Sequence, residues 1–314
     1  MNESYQNVIA VIEEVKKAVT GKDDCIIKAF AAILAGGHIL IEDVPGVGKT
    51  TLAIAFSQAM ALNDHRVQFT PDVMPADILG FYMYQKETGQ FVYHPGTIMC
   101  NLFLADEINR TSPKTQSALL EVMEEGRLSV EGEVYELPKP FLVIATENPF
   151  GSAGTQRLPE AQLDRFLICL SMGYPSIEEE LDIVRGKCNT IPIEDIRPVI
   201  DRAQVRELQR QVSLVHIDNK VYDYIGRLVT ETRQSQEIAL GLSPRGTIAL
   251  AKMAQAMAYV TGRSYVIPED VACIFSDVAA HRIRMRAAGQ DGVEIRKGIC
   301  RNILERVEKP AVLA

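Results

Sequence analysis

The stretch Asp43-Val44-Pro45-Gly46-Val47-Gly48-Lys49-Thr50-Thr51 constrains this chain more than any other. It follows the short apolar run His38-Ile39-Leu40-Ile41 and precedes Leu52-Ala53-Ile54-Ala55-Phe56, which favours helix. Strand, glycine loop and helix in that order are the context a phosphate-binding loop needs. Backbone N–H groups and the positive end of the helix converge on one point, where a polyphosphate can sit. Gly46 and Gly48 let the backbone approach without a Cβ in the way. Lys49 supplies a point charge for the outer phosphates, and the Thr50 hydroxyl can join the shell of a magnesium ion. Asp43, Pro45, Val47 and Thr51 complete the candidate nucleotide-contacting loop. Asp43 stands where the general pattern has a leading glycine, so the motif is formally incomplete, and Pro45 presets its own φ in the turn. The bland alternative is a glycine-rich turn that happens to precede a lysine.

A second signal is Leu102-Phe103-Leu104-Ala105-Asp106-Glu107. A buried strand ending in two carboxylates places both at the carboxyl edge of the sheet, where open α/β folds bind ligands. Asp106 is the candidate magnesium ligand, and Glu107 the candidate group that orients or deprotonates an attacking water. An acidic strand end that merely caps a helix is the alternative, and the upstream Lys49-Thr50 pair argues against it. Further on, Phe141-Leu142-Val143-Ile144-Ala145 ends in Thr146-Glu147-Asn148-Pro149. Asn148, at the end of an apolar strand, can reach a phosphate or the lytic water; equally, it can make an Asx turn before Pro149. Ser243-Pro244 opens a helix and puts Arg245 in its first turn, where a cation opposes the helix dipole. An anionic partner would explain that placement; the alternative is an ordinary exposed arginine.

At 314 residues the chain exceeds one small core and suggests two domains. Strand signals at residues 38–41, 66–69, 102–105, 141–145 and 166–170 alternate with helices at 4–18, up to about 35, after Gly48 and from Ser112-Pro113 to Gly126, the pattern of a parallel α/β sheet. Two hairpins interrupt it, at residues 81–93 around Glu87-Thr88-Gly89 and at 127–137 around Glu131-Gly132. They are either decoration or loops aimed at a substrate. After about residue 176 the composition changes, and helices at 219–232, 244–260 and 268–280 predict a small all-α domain. The boundary is expected near residue 190, giving a core over 1–190 and a lid over 191–314. No run of eighteen apolar residues is present and the polar start is no signal peptide, so the cytoplasm is the expected compartment. Six scattered cysteines without a C-x-x-C pair read as buried thiols rather than disulfides or metal ligands. The net charge of −8 disfavours a broad basic face for duplex DNA.

These motifs together resemble the AAA+ ATPases, and specifically the MoxR family within the group that carries an insert in the second core helix. The run Asp106-Glu107-Ile108-Asn109-Arg110-Thr111-Ser112-Pro113-Lys114-Thr115-Gln116-Ser117-Ala118-Leu119-Leu120-Glu121 is close to a family signature. So are Ala145-Thr146-Glu147-Asn148-Pro149 and Leu158-Pro159-Glu160-Ala161-Gln162-Leu163-Asp164-Arg165-Phe166. Asp43 in the phosphate loop, odd by the general motif, is familiar there. The resemblance implies a P-loop core with a parallel sheet and β-hairpin inserts, followed by a small all-α lid.

The resemblance also implies roles. Lys49 and Thr50 are Walker A, Asp106 and Glu107 are Walker B, and Asn148 is sensor 1. Arg165 is implied as an arginine finger reaching a neighbouring subunit's γ-phosphate, where a guanidinium stabilises charge developing on the transferred phosphoryl group. On residue chemistry alone Arg165 reads as a surface ion pair with Asp164 or Glu160. Arg245 becomes the sensor 2 candidate, in its own subunit or a neighbour's. Arg110 and Arg157 are weaker candidates for contacts between subunits, and Gly21, in Val19-Thr20-Gly21, is implied to lie near the adenine. The implied ligands are ATP and Mg2+, and the implied assembly is a homo-oligomeric ring, a hexamer. The implied work is remodelling or maturation of a protein client, often one with a von Willebrand factor A domain or a metalloprotein complex, without a membrane span or nucleic acid. Three rivals remain: a nucleic-acid motor of the MCM kind, a magnesium-chelatase-like metal-insertion subunit, and a nucleotide-dependent scaffold that does not hydrolyse. Lys86 is the only cation between Phe81 and Tyr93, and the second hairpin carries three glutamates against Arg127, which disfavours the motor.

Overall fold

In the computed structural model, which describes residues 3–148, 158–174, 177, 181, 191–286 and 292–311, the glycine loop joins a buried strand to a helix as its sequence requires. Helices α1 (Glu3–Ala18) and α2 (Asp23–Leu34) precede β1 (Ile39–Glu42), the loop and α3 (Lys49–Ala59). Next come β2 (Asp64–Gln68), α4 (Pro75–Leu79) and the hairpin of β3 (Gly80–Gln85) and β4 (Gln90–Pro95). β5 (Leu102–Asp106) and α5 (Pro113–Glu125) lead to a second hairpin, β6 (Arg127–Val130) and β7 (Glu133–Glu136), and then to β8 (Leu142–Glu147). The short α6 (Glu160–Leu163) and β9 (Ile168–Leu170) complete this half.

The five core strands pair in parallel in the order β2-β5-β8-β1-β9. All their carboxyl ends therefore lie along one edge and all their amino ends along the other. Alternation along the strands divides the apolar residues between two layers. Ile39, Ile41, Leu102, Leu104, Leu142 and Ile144 pack with α1, α2 and α3; Leu40, Phe103, Ala105, Val143 and Ala145 pack with Leu119, Leu120 and Met123 of α5. Burial on both faces is why these strands read as unbroken apolar runs.

Helix α5 fixes the relation between the two edges. The Ser112 hydroxyl accepts from Thr115 N at 3.3 Å, Pro113 takes the first turn, and Gly126 ends the helix at φ +65. α5 begins beyond the carboxyl end of β5 and returns to the amino edge. There His38, one residue before β1, uses Nε2 to bond the Met123 carbonyl at 2.9 Å, while its Nδ1 accepts from Val143 N at 3.0 Å.

Among the described residues from 191 on, the α-helices are α7 (Arg202–Ser213), α8 (Asn219–Gln234), α9 (Pro244–Val260), α10 (Pro268–Ala279) and α11 (Val293–Arg306). Their apolar faces, including Leu250, Met253, Ile274 and Phe275, join the same cluster as Leu52 and Phe56 of α3. Three features go beyond the sequence reading. α7 buries only Val205, Leu208 and Val212, and α11 only Ile299, Cys300 and Ile303, so their periodicity is sparse. A short antiparallel pair, β10 (Ile238–Leu240) with β11 (Arg284–Met285), decorates the helical lid.

The two hairpins are joined. The Tyr82 and Tyr135 hydroxyls meet at 2.5 Å, and the Tyr93 and Tyr135 rings stack with centroids 4.2 Å apart. Cys25, Cys100, Cys169 and Cys300 are buried free thiols; Cys273, in contrast to the expectation, is exposed, and Cys188 lies outside the described residues. No cluster suited to a metal ion forms from histidine, cysteine and carboxylate side chains among the described residues.

Candidate nucleotide-binding and hydrolysis site

The loop backbone explains its own composition. Gly46 and Gly48 have φ of +88 and +92, and Gly48 is the residue that opens α3. A Cβ added at Gly46 would meet nothing within 4 Å, so conformation rather than space demands glycine there. Pro45 is exposed, while Val47 and Thr51 are half-buried. Asp43, the departure from the general motif, is a tie. Its Oδ2 accepts from Gly173 N at 2.7 Å and Ser171 Oγ at 3.0 Å, and its Oδ1 from Val44 N at 2.9 Å. The loop is thereby pinned to the chain that leaves β9. Lys22 donates to Gly173 O at 3.2 Å and Tyr174 O at 2.9 Å, which draws the turn at Gly21 (φ +71) to the same place.

Lys49 is buried, and its Nζ donates to the carbonyls of Asp43 at 2.6 Å and Glu147 at 3.4 Å. No carboxylate among the described residues comes within ion-pair distance of it. Burial lowers its pKa, against the pull of Asp43, Asp106, Glu107 and Glu147. A buried ammonium held by two neutral carbonyls, at the N-terminus of α3, suits a polyphosphate and fits the nucleotide the motif implies.

Asp106 ends β5 in a network. Oδ1 accepts from the Thr146 hydroxyl at 2.6 Å; Oδ2 accepts from Thr50 Oγ1 at 3.4 Å and pairs with Arg66 at 2.7 Å. The Thr50 hydroxyl and the Asp106 carboxylate therefore share one corner, the donor pair a magnesium ion would use. Glu107 adopts a left-handed backbone, φ +56 and ψ +51, which costs a non-glycine residue about 1 kcal/mol or more. Its N–H donates to Thr146 Oγ1 at 2.9 Å, and its carboxylate accepts from Gln68 at 2.9 Å and Arg110 at 2.6 Å. Arg110, read from sequence as a contact to another subunit, is thus engaged within its own chain. Asn148 follows β8, between β5 and β1 in the sheet, and its carbonyl accepts from Asn109 Nδ2 at 3.3 Å. The buried Asn109 Oδ1 has no hydrogen-bond partner among the described residues.

Arg165 and Arg245 are not brought to this edge. Arg165 lies in the turn before β9, whose Leu167 N–H bonds the His38 carbonyl at 2.8 Å, at the amino edge. Its Nη2 pairs with Glu124 Oε2 at 3.1 Å, and Arg245 Nη2 pairs with Glu124 Oε1. The alternative reading of Arg165, a pair with Asp164 or Glu160, is not the one the structure holds. Asp164 is taken by the buried Arg282 at 2.7 Å and the Ser243 hydroxyl at 2.8 Å, and Glu160 by Arg284 at 3.6 Å. Arg157 lies outside the described residues.

Arg66, Gln68, Thr146 and Glu124 were not singled out in the sequence. For Arg66 and Gln68 a signal existed: polar residues two apart on the edge strand β2 share a face, and Gln68 is in register with Asp106. Nothing local marks Glu124, because its partners are 41 and 121 residues away along the chain.

Comparison with known proteins accords with this arrangement. Residues 38–168 match the ATPase family associated with various cellular activities (AAA), and residues 230–299 match the AAA lid domain. Chaperone MoxR1 of Mycobacterium tuberculosis is 38% identical over 281 residues, covering 87% of this chain and 74% of that protein. The uncharacterized protein YeaC of Bacillus subtilis is 47% identical over 300 residues, 95% of this chain and 93% of its own length. A crystal structure from Cytophaga hutchinsonii, described as a candidate ATPase, superposes with a TM-score of 0.87 at 36% identity, covering 98% of this chain and 96% of that one. A phosphate loop and paired strand-end carboxylates on one sheet edge, a helical lid, and relatives of this closeness place the chain in the MoxR family of AAA+ ATPases.

Proposed function

We propose that this chain is a magnesium-dependent ATPase that works as a ring, a hexamer, and remodels or matures a protein client. The observation that carries the reading is the convergence of Lys49, Thr50, Asp106 and Glu107 at the carboxyl edge. Lys49 and the loop N–H groups hold the phosphates of ATP, with Gly21 on the adenine side. Thr50 and Asp106 would hold Mg2+, which when bound would neutralise phosphate charge. Glu107 accepts the proton of the attacking water, and Asn148 orients that water. The contacts from Gln68 and Arg110 hold the Glu107 carboxylate in place.

Arg165 and Arg245 lie together at the opposite edge from Lys49. This supports a trans role for both, toward the nucleotide of an adjoining protomer, and it makes hydrolysis depend on assembly. The working division is a core over residues 1–190 and a lid over 191–314, so that a shift of the lid carries Arg245 with it. The joined hairpins expose Phe81, Met83, Tyr84, Phe91 and Val134 and carry few cations, which favours a protein client over nucleic acid. The name of the M. tuberculosis relative supports a chaperone-like role. A von Willebrand factor A domain or a metalloprotein complex is the client class proposed, and the cytoplasm the compartment; no helix among the described residues is long and apolar enough to cross a membrane.

Phosphate release with ATP and magnesium is the direct test. Turnover that vanishes with chelator and with Lys49→Ala supports the ATPase; turnover that persists in either case overturns the site. For the client, Glu107→Gln loaded with ATP serves as bait, with Lys49→Ala as control. Recovery of nuclease-sensitive nucleic acid in place of protein would favour the motor reading.

A further inference from the structure

We infer that Glu124 is a positioning residue that sets Arg165 of the core and Arg245 of the lid as one paired clamp for an anion presented by an adjoining protomer. The inference rests on the trans reading of those two arginines. Glu124 gives one carboxylate oxygen to each guanidinium, Oε2 to Arg165 and Oε1 to Arg245. The arginines come from different parts of the chain, one from the turn before β9 and the other from the first turn of α9. A counter-charge between two like charges lowers the cost of bringing them together, and Glu124 fills that place.

The backbone on either side of Glu124 is anchored, and the arginines remain usable. His38 fixes the preceding carbonyl of α5, and Gly126 ends the helix two residues on. Asp164 locks the lid side by taking the buried Arg282 and the hydroxyl of Ser243, the capping residue of α9. Among the described ion pairs here, three guanidinium groups (Arg165, Arg245, Arg282) share two carboxylates (Glu124, Asp164), so the pairs leave one positive charge over. Arg165 and Arg245 remain 28% and 47% exposed in their side chains, and among the described residues each is paired only through one nitrogen. A guanidinium has five N–H donors, so both retain donors for a second anion while Glu124 holds them. A helix N-terminus favours anions, so the α9 terminus adds to the attraction.

The test uses full-length protein and reads turnover. Glu124→Ala, and the isosteric Glu124→Gln in case the first folds poorly, are expected to lower kcat by about tenfold or more, the scale of a misplaced catalytic group. Nucleotide affinity of the dilute protomer should stay unchanged, because its own phosphate site lies at the other edge. Mixed assemblies then separate position from mere stability. Glu124→Ala co-expressed with Glu107→Gln should recover turnover above the sum of the two alone, since each supplies the half the other lacks. Arg165→Ala with Glu107→Gln is the control. Recovery in both mixtures supports the inference. Recovery in the control alone overturns the role of Glu124 while leaving the trans arginines standing. Recovery in neither overturns the trans reading and this inference with it, and so does unchanged kcat in both Glu124 variants for the inference itself.

Discussion

The two edges of the central sheet carry charge in different ways. At the carboxyl edge, Lys49 and Asp106 are buried, and their contacts run to strand ends and loop carbonyls close in the fold. At the amino edge, Arg165 and Arg245 are partly exposed and meet on the single carboxylate of Glu124. Burial at the first edge removes water and strengthens each interaction. Exposure at the second leaves donors for a partner. On the proposed reading one protomer holds two half-sites, one buried and one exposed, that become whole only between neighbours.

The sharpest way to break the comparison is Arg165→Ala. Turnover should fall by about a thousandfold, the lower end of what an arginine finger contributes. ATP affinity of the dilute protomer should not move; a parallel loss of affinity, measured by nucleotide titration, would return Arg165 to its own subunit's site. Next in size, Glu107→Gln should cost about a hundredfold in kcat or more while nucleotide stays bound, as removal of a general base does. Phosphate release alongside a binding isotherm reads both quantities.

Stability sharpens the same contrast. Asp164→Ala leaves Arg282 buried without its carboxylate and should cost about 3 kcal/mol by urea denaturation. Arg66→Ala removes an exposed partner of Asp106 and should cost under about 1 kcal/mol. Equal losses would mean that the two ion pairs are anchored alike. A further effect is on pH. Burial holds His38 at a pKa of about 4, and its ring can accept from Val143 only while neutral at Nδ1. The unfolded chain, with an ordinary histidine, binds the proton first, so this contribution is complete above about pH 6.5 and fades as pH falls toward 4. From pH 7 to pH 5 it should cost about 2 kcal/mol. Denaturation midpoints of the protein and of His38→Gln at both pH values check this: the variant should lose the corresponding part of the slope.

Much of the carboxyl edge was legible in the residues. A glycine loop between an apolar strand and a helix, and a strand ending in Asp106-Glu107, are local patterns whose chemistry follows from chain order, because parallel strands deliver their ends to one edge. Helix limits were equally local: Ser112-Pro113 and Gly126 bound α5, and Ser243-Pro244 opens α9. The sparse apolar stripes of α7 and α11 carried too little periodicity to announce helices.

Asp43 shows where sequence stops. By motif it is a departure from glycine; by structure it is the bond that fastens the loop to Ser171 and Gly173. Arg165 shows the same limit from the other side, since proximity in sequence suggested Asp164, which the buried Arg282 had already claimed. The sequence by itself determined the phosphate loop, the strand-end carboxylates, the alternation that makes a parallel sheet and the family, because each is written in residues that are neighbours along the chain. Only the tertiary structure decided which charges meet across 41, 118 and 121 residues, since pairing at that separation depends on how the helices return across the sheet and on which carboxylate burial leaves available.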